Sequence, residues 1–169
     1  MKAMLCSPSL YFEVKCFQAY EVSLLQELAY QEWLGLFAQD IRYRAPLVYV
    51  KDQRQGSLSA LTDLMLYDDN LETLELRVAR AKSKKAWTEI PPSRLRYFVD
   101  PVEINEEQGD LRVSSNLIIY QTRLQREESL FVGHRIDRIR RNGDGWKVFD
   151  RYAVIDRAVL PSKNLTVFF

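Results

Sequence analysis

The sequence has very little histidine and cysteine: its 169 residues include one histidine, His134, and two cysteines, Cys6 and Cys16. A single histidine excludes most of the transition-metal sites that a chain could build alone. Two cysteines do not indicate a disulfide framework, and their separation is not the short spacing of a zinc site. We therefore expect no metal or cofactor on this chain and a cytoplasmic location.

Long apolar runs and an excess of charge are also missing. No apolar stretch approaches the ~20 residues of a membrane-spanning helix, and the first eight residues, an expected flexible tail, do not resemble a secretory signal. Lysine plus arginine number 24 and aspartate plus glutamate 23, a balance that does not favour binding to nucleic acid or a membrane. The arginines of segment 135–141 alternate with aspartate and apolar residues, which predicts a solvent-exposed strand face. The length suits a single domain, residues 1–169.

The first third of the chain is predicted to be mainly helical. Apolar residues between positions 10 and 37 recur at helical spacings and predict two helices that end near Phe37. Alternating apolar and charged residues over 41–44 predict the start of a strand, and the polar segment 51–59 predicts a loop. Asp69 followed by Glu72 matches a capping box, which predicts a third helix over residues 70–82.

The rest of the chain is rich in valine, isoleucine, tyrosine and phenylalanine, residues that favour strands. Predicted strands cover residues 94–104, 111–124, 130–141, 146–155 and 165–168. Turn residues at 105–110 and 142–145 connect some of them as hairpins. Helices followed by a run of strands predict an α+β fold in which an antiparallel sheet curls around the helices.

Six segments resemble one protein family, in the same order along the chain. The family is the small (beta) subunit of bacterial aromatic-ring-hydroxylating dioxygenases of the biphenyl and naphthalene type. The likeness extends from about Tyr11 to Phe169. The matching segments are WLGLFAQDIRY (33–43), DNLETL (69–74), WTEIPPSR (87–94), FVGHRIDR (131–138), GWKV (145–148) and SKNLTVFF (162–169).

The resemblance implies a cone-like α+β fold with a strongly curved, mostly antiparallel sheet, similar to scytalone dehydratase and the polyketide cyclases. It implies a structural, non-catalytic role in an enzyme complex that adds O2 to an aromatic ring to give a cis-dihydrodiol in aromatic hydrocarbon catabolism. The expected partner is a large (alpha) subunit, three large with three small, that holds a Rieske [2Fe-2S] cluster and mononuclear Fe(II). Electrons would reach it from NADH through a reductase and a ferredoxin.

The ligand count of this chain agrees with that division of labour. A Rieske centre requires two histidines, and a non-haem oxygenase iron requires two histidines and a carboxylate. A chain whose only histidine is His134 cannot supply either set. If the assembly dioxygenates arenes, the iron therefore belongs to another chain.

His134 leaves an alternative open. It shares strand parity with Val132, which favours an inward position, and histidine is a residue type that commonly serves as a general base. With Asp40, Asp137, Asp156 or a tyrosine it could serve a stand-alone dehydratase, isomerase or cyclase of the cone fold, or the same cavity could bind a small ligand without chemistry. A packed or interface histidine is the simpler interpretation.

Four residues are candidates for a subunit interface. Pro91 and Pro92 stiffen a loop that either plugs the edge of the fold with Trp87 or presents Trp87 and Arg94 to a partner. Phe168 and Phe169 are an apolar chain end, and we expect them to dock in the sheet or against a neighbouring subunit.

Overall fold

The computed structural model describes residues 6–50, 58–82, 92–124, 127–156 and 167–169. This part of the chain forms three helices and six strands. The helices are α1 (Pro8–Gln26), α2 (Tyr30–Leu34) and α3 (Leu71–Lys82), and the strands are β1 (Phe37–Val50), β2 (Leu58–Asp69), β3 (Arg94–Glu107), β4 (Asp110–Arg123), β5 (Glu127–Asn142) and β6 (Gly145–Ile155).

The six strands form one curved sheet in the order β2-β1-β6-β5-β4-β3. Strands β1 and β6 are parallel and all other neighbours are antiparallel. The predicted α+β class with a mostly antiparallel sheet is confirmed. Strand β1 begins at Phe37, earlier than the alternation from residue 41 indicated. Of the predicted strand 165–168, residues 165 and 166 lie outside the described residues, and residues 167–169 belong to no strand.

The two predicted N-terminal helices are present, and the first starts inside the segment expected to be a tail. Ser7 caps α1 by accepting a hydrogen bond from Leu10 N at 3.2 Å, and Pro8 occupies the first helical position, where its missing N–H costs nothing. Lys15 and Gln26 then cover the free edge of β3: Lys15 donates to Val99 O, and Gln26 accepts from the main-chain N–H of residue 97. The helix therefore shields an edge strand that would otherwise be open to pairing.

The third helix is as predicted, but its cap is one residue later than the sequence pattern indicated. Asn70 and Thr73 form the reciprocal cap: the Asn70 side chain accepts from Thr73 N at 2.9 Å, and Thr73 Oγ1 accepts from Asn70 N at 2.8 Å. Asp69 is the last residue of β2, and its carboxylate accepts from Arg77 Nε at 2.6 Å. The predicted capping role of Asp69 and Glu72 was wrong because Asp69 is committed to this ion pair.

One face of the sheet lines the core and the other faces outward. In β5 the buried residues are Phe131, Gly133, Arg135, Asp137 and Ile139, at a period of two. Gly133 is required there because β6 passes directly over it: an added Cβ would lie 2.0 Å from the main-chain oxygen of residue 154. This close approach, which only glycine permits, brings the inward side chains of β5 and β6 together.

Candidate functional site

Four charged side chains meet in the interior and form what we call the ion cluster: Glu21 from α1, Arg135 and Asp137 from β5, and Arg151 from β6. All four are buried. Arg151 donates from Nε to Asp137 at 2.7 Å and from Nη1 to Glu21 at 2.6 Å. Arg135 donates to the second oxygen of Glu21, and its Nε lies 3.2 Å from Asp137 Oδ2. Two carboxylates and two guanidiniums make the cluster neutral, which is how buried charges are tolerated.

The cluster keeps Glu21 and Arg151 ionised. Burial by itself raises the pKa of Glu21, but Arg135 and Arg151 outweigh burial and lower that pKa to about 2. Burial by itself lowers the pKa of Arg151, but the carboxylates of Asp137 and Glu21 raise it well above its usual range. A carboxylate that stays charged at every physiological pH cannot exchange a proton with a substrate, so the arrangement is suited to holding α1 on the sheet rather than to acid–base chemistry.

A second set of contacts fills the interior next to the cluster. The tyrosine hydroxyls of Tyr67 and Tyr97 donate to the main-chain oxygens of Val167 and Phe168, at 2.7 and 3.0 Å. Burial raises the pKa of both phenols, so they remain protonated donors. The ring of Phe168 packs on Trp33 at a centroid distance of 4.5 Å. The chain's own aromatic side chains fill this part of the interior.

The residues considered for an acid–base site are not brought together. His134 lies on the outer face of β5, opposite Asn116 and residue 154, so the expectation of an inward position was wrong. Asp137 is inside the ion cluster. Asp40 is exposed and pairs with Arg140, and Asp156 is exposed. The geometry does not favour the alternative of a stand-alone acid–base enzyme using His134.

The four candidates for a subunit interface differ in where the structure places them. Phe168 and Phe169 are buried in the chain's own core, so they offer no surface to a neighbour in this conformation, and docking within the chain is the alternative that the structure shows. Arg94 is exposed at the start of β3. Trp87 lies outside the described residues.

Sequence reasoning missed the ion cluster and misplaced one of its members. Arg135 was predicted on a solvent-exposed face and is buried, because the inward parity of β5 includes Arg135 and Asp137 between the buried Phe131 and Ile139. The same period of two was the available signal. Glu21 carried a similar signal, since it lies on the α1 face that also buries Leu24 and Leu25.

The outer face of the sheet carries an exposed apolar area that we call the outer patch. It consists of Phe98 on β3, Ile118 and Tyr120 on β4, and Leu130 and Val132 on β5. Phe98 is opposite Ile118, and Ile118 is opposite Val132, so three strands contribute adjacent side chains. Adjacent exposed apolar side chains of this kind are typical of interaction surfaces.

Lowering the pH below about 4.5 should destabilise the chain through Glu21. The pKa of Glu21 is about 2 in the folded chain and has an ordinary value of 4.5. The ionised Glu21 therefore stabilises the fold fully above pH 4.5, and this stabilisation is lost as the pH falls through 2. The loss is on the order of 3 kcal/mol in the free energy of unfolding. Urea unfolding between pH 2 and 6 measures it. In the Glu21→Gln variant the free energy of unfolding should change less with pH over that range than in the wild-type chain. Equal pH dependence in the two chains would contradict the lowered pKa of Glu21.

The described residues contain no group of three or more histidine, cysteine, aspartate or glutamate side chains placed to hold a metal ion. Within those residues, no helix has the length and apolar character needed to span a membrane. A chain with one histidine does not supply the two histidines that a Rieske cluster or a mononuclear oxygenase iron requires.

Comparison with known proteins decides the family. Residues 20–162 match the protein-family model described as "Ring hydroxylating beta subunit". The chain belongs to this family. Among relatives of this beta-subunit family, the 3-phenylpropionate/cinnamic acid dioxygenase subunit beta of Photorhabdus laumondii is 35% identical, over 96% of this chain and 93% of the relative. The biphenyl 2,3-dioxygenase subunit beta of Rhodococcus jostii is 34% identical, over 96% and 90%.

The fold of the family is also found in a solved structure. A chain of naphthalene 1,2-dioxygenase with indole bound in the active site superposes with a TM-score of 0.85 at 24% identity, covering 97% of this chain and 88% of that chain. At this identity the likeness concerns the fold. It agrees with the curved α+β architecture described above.

Proposed function

We propose that this chain is the structural small subunit of an aromatic-ring-hydroxylating dioxygenase and that it acts by assembling with the large (alpha) subunit. The observation that carries the proposal is family membership over residues 20–162, with relatives named as dioxygenase beta subunits along nearly their whole length. The complex would add O2 to an aromatic ring to give a cis-dihydrodiol, with electrons from NADH delivered through a reductase and a ferredoxin.

The interior of the chain supports a role without catalytic residues of its own. The ion cluster and the rings of Trp33, Phe168 and Phe169 occupy the inside of the sheet, and His134 lies outside. The Rieske [2Fe-2S] cluster and the mononuclear Fe(II) belong, in this proposal, to the large subunit, which would supply the oxygenation chemistry. The small subunit would bind and position that subunit.

The outer patch is the surface that fits this role best. Arg94 lies on the same face and the same strand as Phe98, four residues away. An apolar centre with arginine beside it is the composition of a subunit interface, and a permanent interface of this type buries about 2,000 Å² or more. Three large and three small subunits would then share repeated copies of one contact.

Co-expression with a large subunit tests whether Trp87 and Arg94 belong to the interface. A tagged wild-type chain should recover the large subunit on affinity purification, and the pair Trp87→Ala, Arg94→Ala should recover several-fold less because it removes a ring and a charge from the contact. The pair Phe12→Ala, Arg80→Ala, on exposed positions of α1 and α3, is the matched control and should recover as much as the wild type. Full recovery by the first pair would remove Trp87 and Arg94 from the interface.

A further inference from the structure

The last three residues are held in an unusual way. Residues 167–169, the terminal segment, belong to no strand, yet every main-chain oxygen in it accepts a hydrogen bond from a tyrosine. Tyr67 donates to Val167 and Tyr97 to Phe168. Tyr43 donates to Phe169 O and accepts from Phe169 N at 2.6 Å. Among the described residues, three tyrosine side chains therefore bind the main chain of this segment.

The two rings of the terminal segment enter adjacent aromatic surroundings that share Tyr67. Phe168 packs against Tyr30, with centroids 5.4 Å apart, and against Trp33. Phe169 packs against Tyr67 at 5.7 Å and Phe131 at 5.9 Å. All of these contacts are buried, so both rings are removed from water. These surroundings favour aromatic side chains at two successive positions.

The groups that hold the terminal segment come from other parts of the fold. The tyrosines come from β1, β2 and β3, and burial raises the pKa of each phenol so that each stays a donor. Arg151 Nη1 also donates to Phe169 O at 3.1 Å, and Arg151 is itself fixed by Glu21 and Asp137. Arg151 is thus oriented by contacts that do not involve the terminal segment, and the ring of Tyr43 packs on Trp33 and Phe37, which also lie outside it.

We propose that the interior of this chain is a peptide-binding site, that its ligand class is an extended segment with two consecutive aromatic side chains, and that residues 167–169 occupy it in cis. A segment tethered to its own site has a high effective concentration there, which can reach the order of millimolar. It therefore excludes competing peptides in the wild-type chain. Weakening the resident segment opens the site to the same sequence added in trans.

The test uses the full-length variant Phe168→Ala, Phe169→Ala and a fluorescent peptide of residues 164–169, Asn-Leu-Thr-Val-Phe-Phe. Fluorescence anisotropy should show saturable binding to the variant. Binding to the wild-type chain should be at least tenfold weaker because the site is occupied. A control peptide that ends in Ala-Ala should bind the variant at least tenfold more weakly. Adding Tyr97→Phe to the variant should weaken binding of the Phe-Phe peptide several-fold.

The interpretation of the peptide-binding result depends on whether the variant Phe168→Ala, Phe169→Ala is folded. If the variant is folded and the Phe-Phe peptide binds no better than the Ala-Ala peptide, the proposal is overturned. If the variant is unfolded alone, the Phe-Phe peptide at millimolar concentration should restore its far-ultraviolet circular dichroism and the Ala-Ala peptide should not. A chain that stays unfolded with both peptides overturns the proposal equally. None of these measurements involves the large subunit, so they stand apart from the proposed function.

Discussion

Replacing Arg151 by alanine should lower the free energy of unfolding by about 3–5 kcal/mol, the usual cost of removing one partner from a buried ion pair. Arg151 donates to Glu21, Asp137 and the main-chain oxygen of Phe169. The variant leaves two buried carboxylates with only Arg135 to compensate them. Urea unfolding at pH 7, monitored by tryptophan fluorescence, measures the loss.

An exposed ion pair of the same chemistry is the control for this experiment. Arg140 pairs with Asp40 at 3.1 Å, but their side chains are 39% and 60% exposed. Solvent screens such a pair, and its removal is expected to cost 0–1 kcal/mol. The midpoint of urea unfolding of Arg140→Ala should therefore be nearly the same as that of the wild-type chain. Similar losses for Arg140→Ala and Arg151→Ala would show that burial of the ion cluster contributes little.

The variant Phe169→Ala should lose about 3–5 kcal/mol of stability, because it empties a buried ring volume and leaves a cavity. Phe169 is 0% exposed and contacts Tyr67 and Phe131. Thermal and urea unfolding both report the loss. This single substitution keeps the main-chain hydrogen bonds of the terminal segment, so its effect isolates the contribution of the ring.

Phe98 provides the matched control for Phe169. It is 63% exposed in the outer patch, so Phe98→Ala removes the same atoms from a site that already contacts solvent and is expected to change stability by less than about 0.5 kcal/mol. Equal losses for the two variants would mean that the terminal segment is not part of the core. A stable Phe98→Ala chain would also be suitable for binding experiments with a large subunit.

Periodicity predicted those parts of the fold in which charge and burial follow the common pattern. Helix α3 and strands β3 to β6 are present close to their predicted positions, because their apolar residues repeat at periods of 3.6 and 2. The parity of β5 was assigned wrongly. Its apolar Leu130 and Val132 face outward, and its charged Arg135 faces inward. An internal partner such as Glu21, 114 residues away, reverses the usual preference of arginine, and no local pattern contains that information.

The candidate site was predicted less well than the fold for the same reason. Tyr43, Tyr67 and Tyr97 are spread over three strands, and their common target is a segment about 70 to 126 residues later in the chain. Only the tertiary structure brings them together. The resemblance to dioxygenase small subunits, in contrast, rested on short segments in a fixed order, and the family match over residues 20–162 confirms it.

Iron analysis with an activity assay tests the division of labour between the subunits most directly. This chain should be purified alone and also in complex with a large subunit, and both samples should be assayed with an arene, O2, NADH and the electron-transfer proteins. We predict that the chain alone is folded, contains no stoichiometric iron and does not oxygenate the arene, while the complex contains iron and does. Stoichiometric iron in the isolated chain, or turnover of a substrate by that chain unaided, would contradict the account.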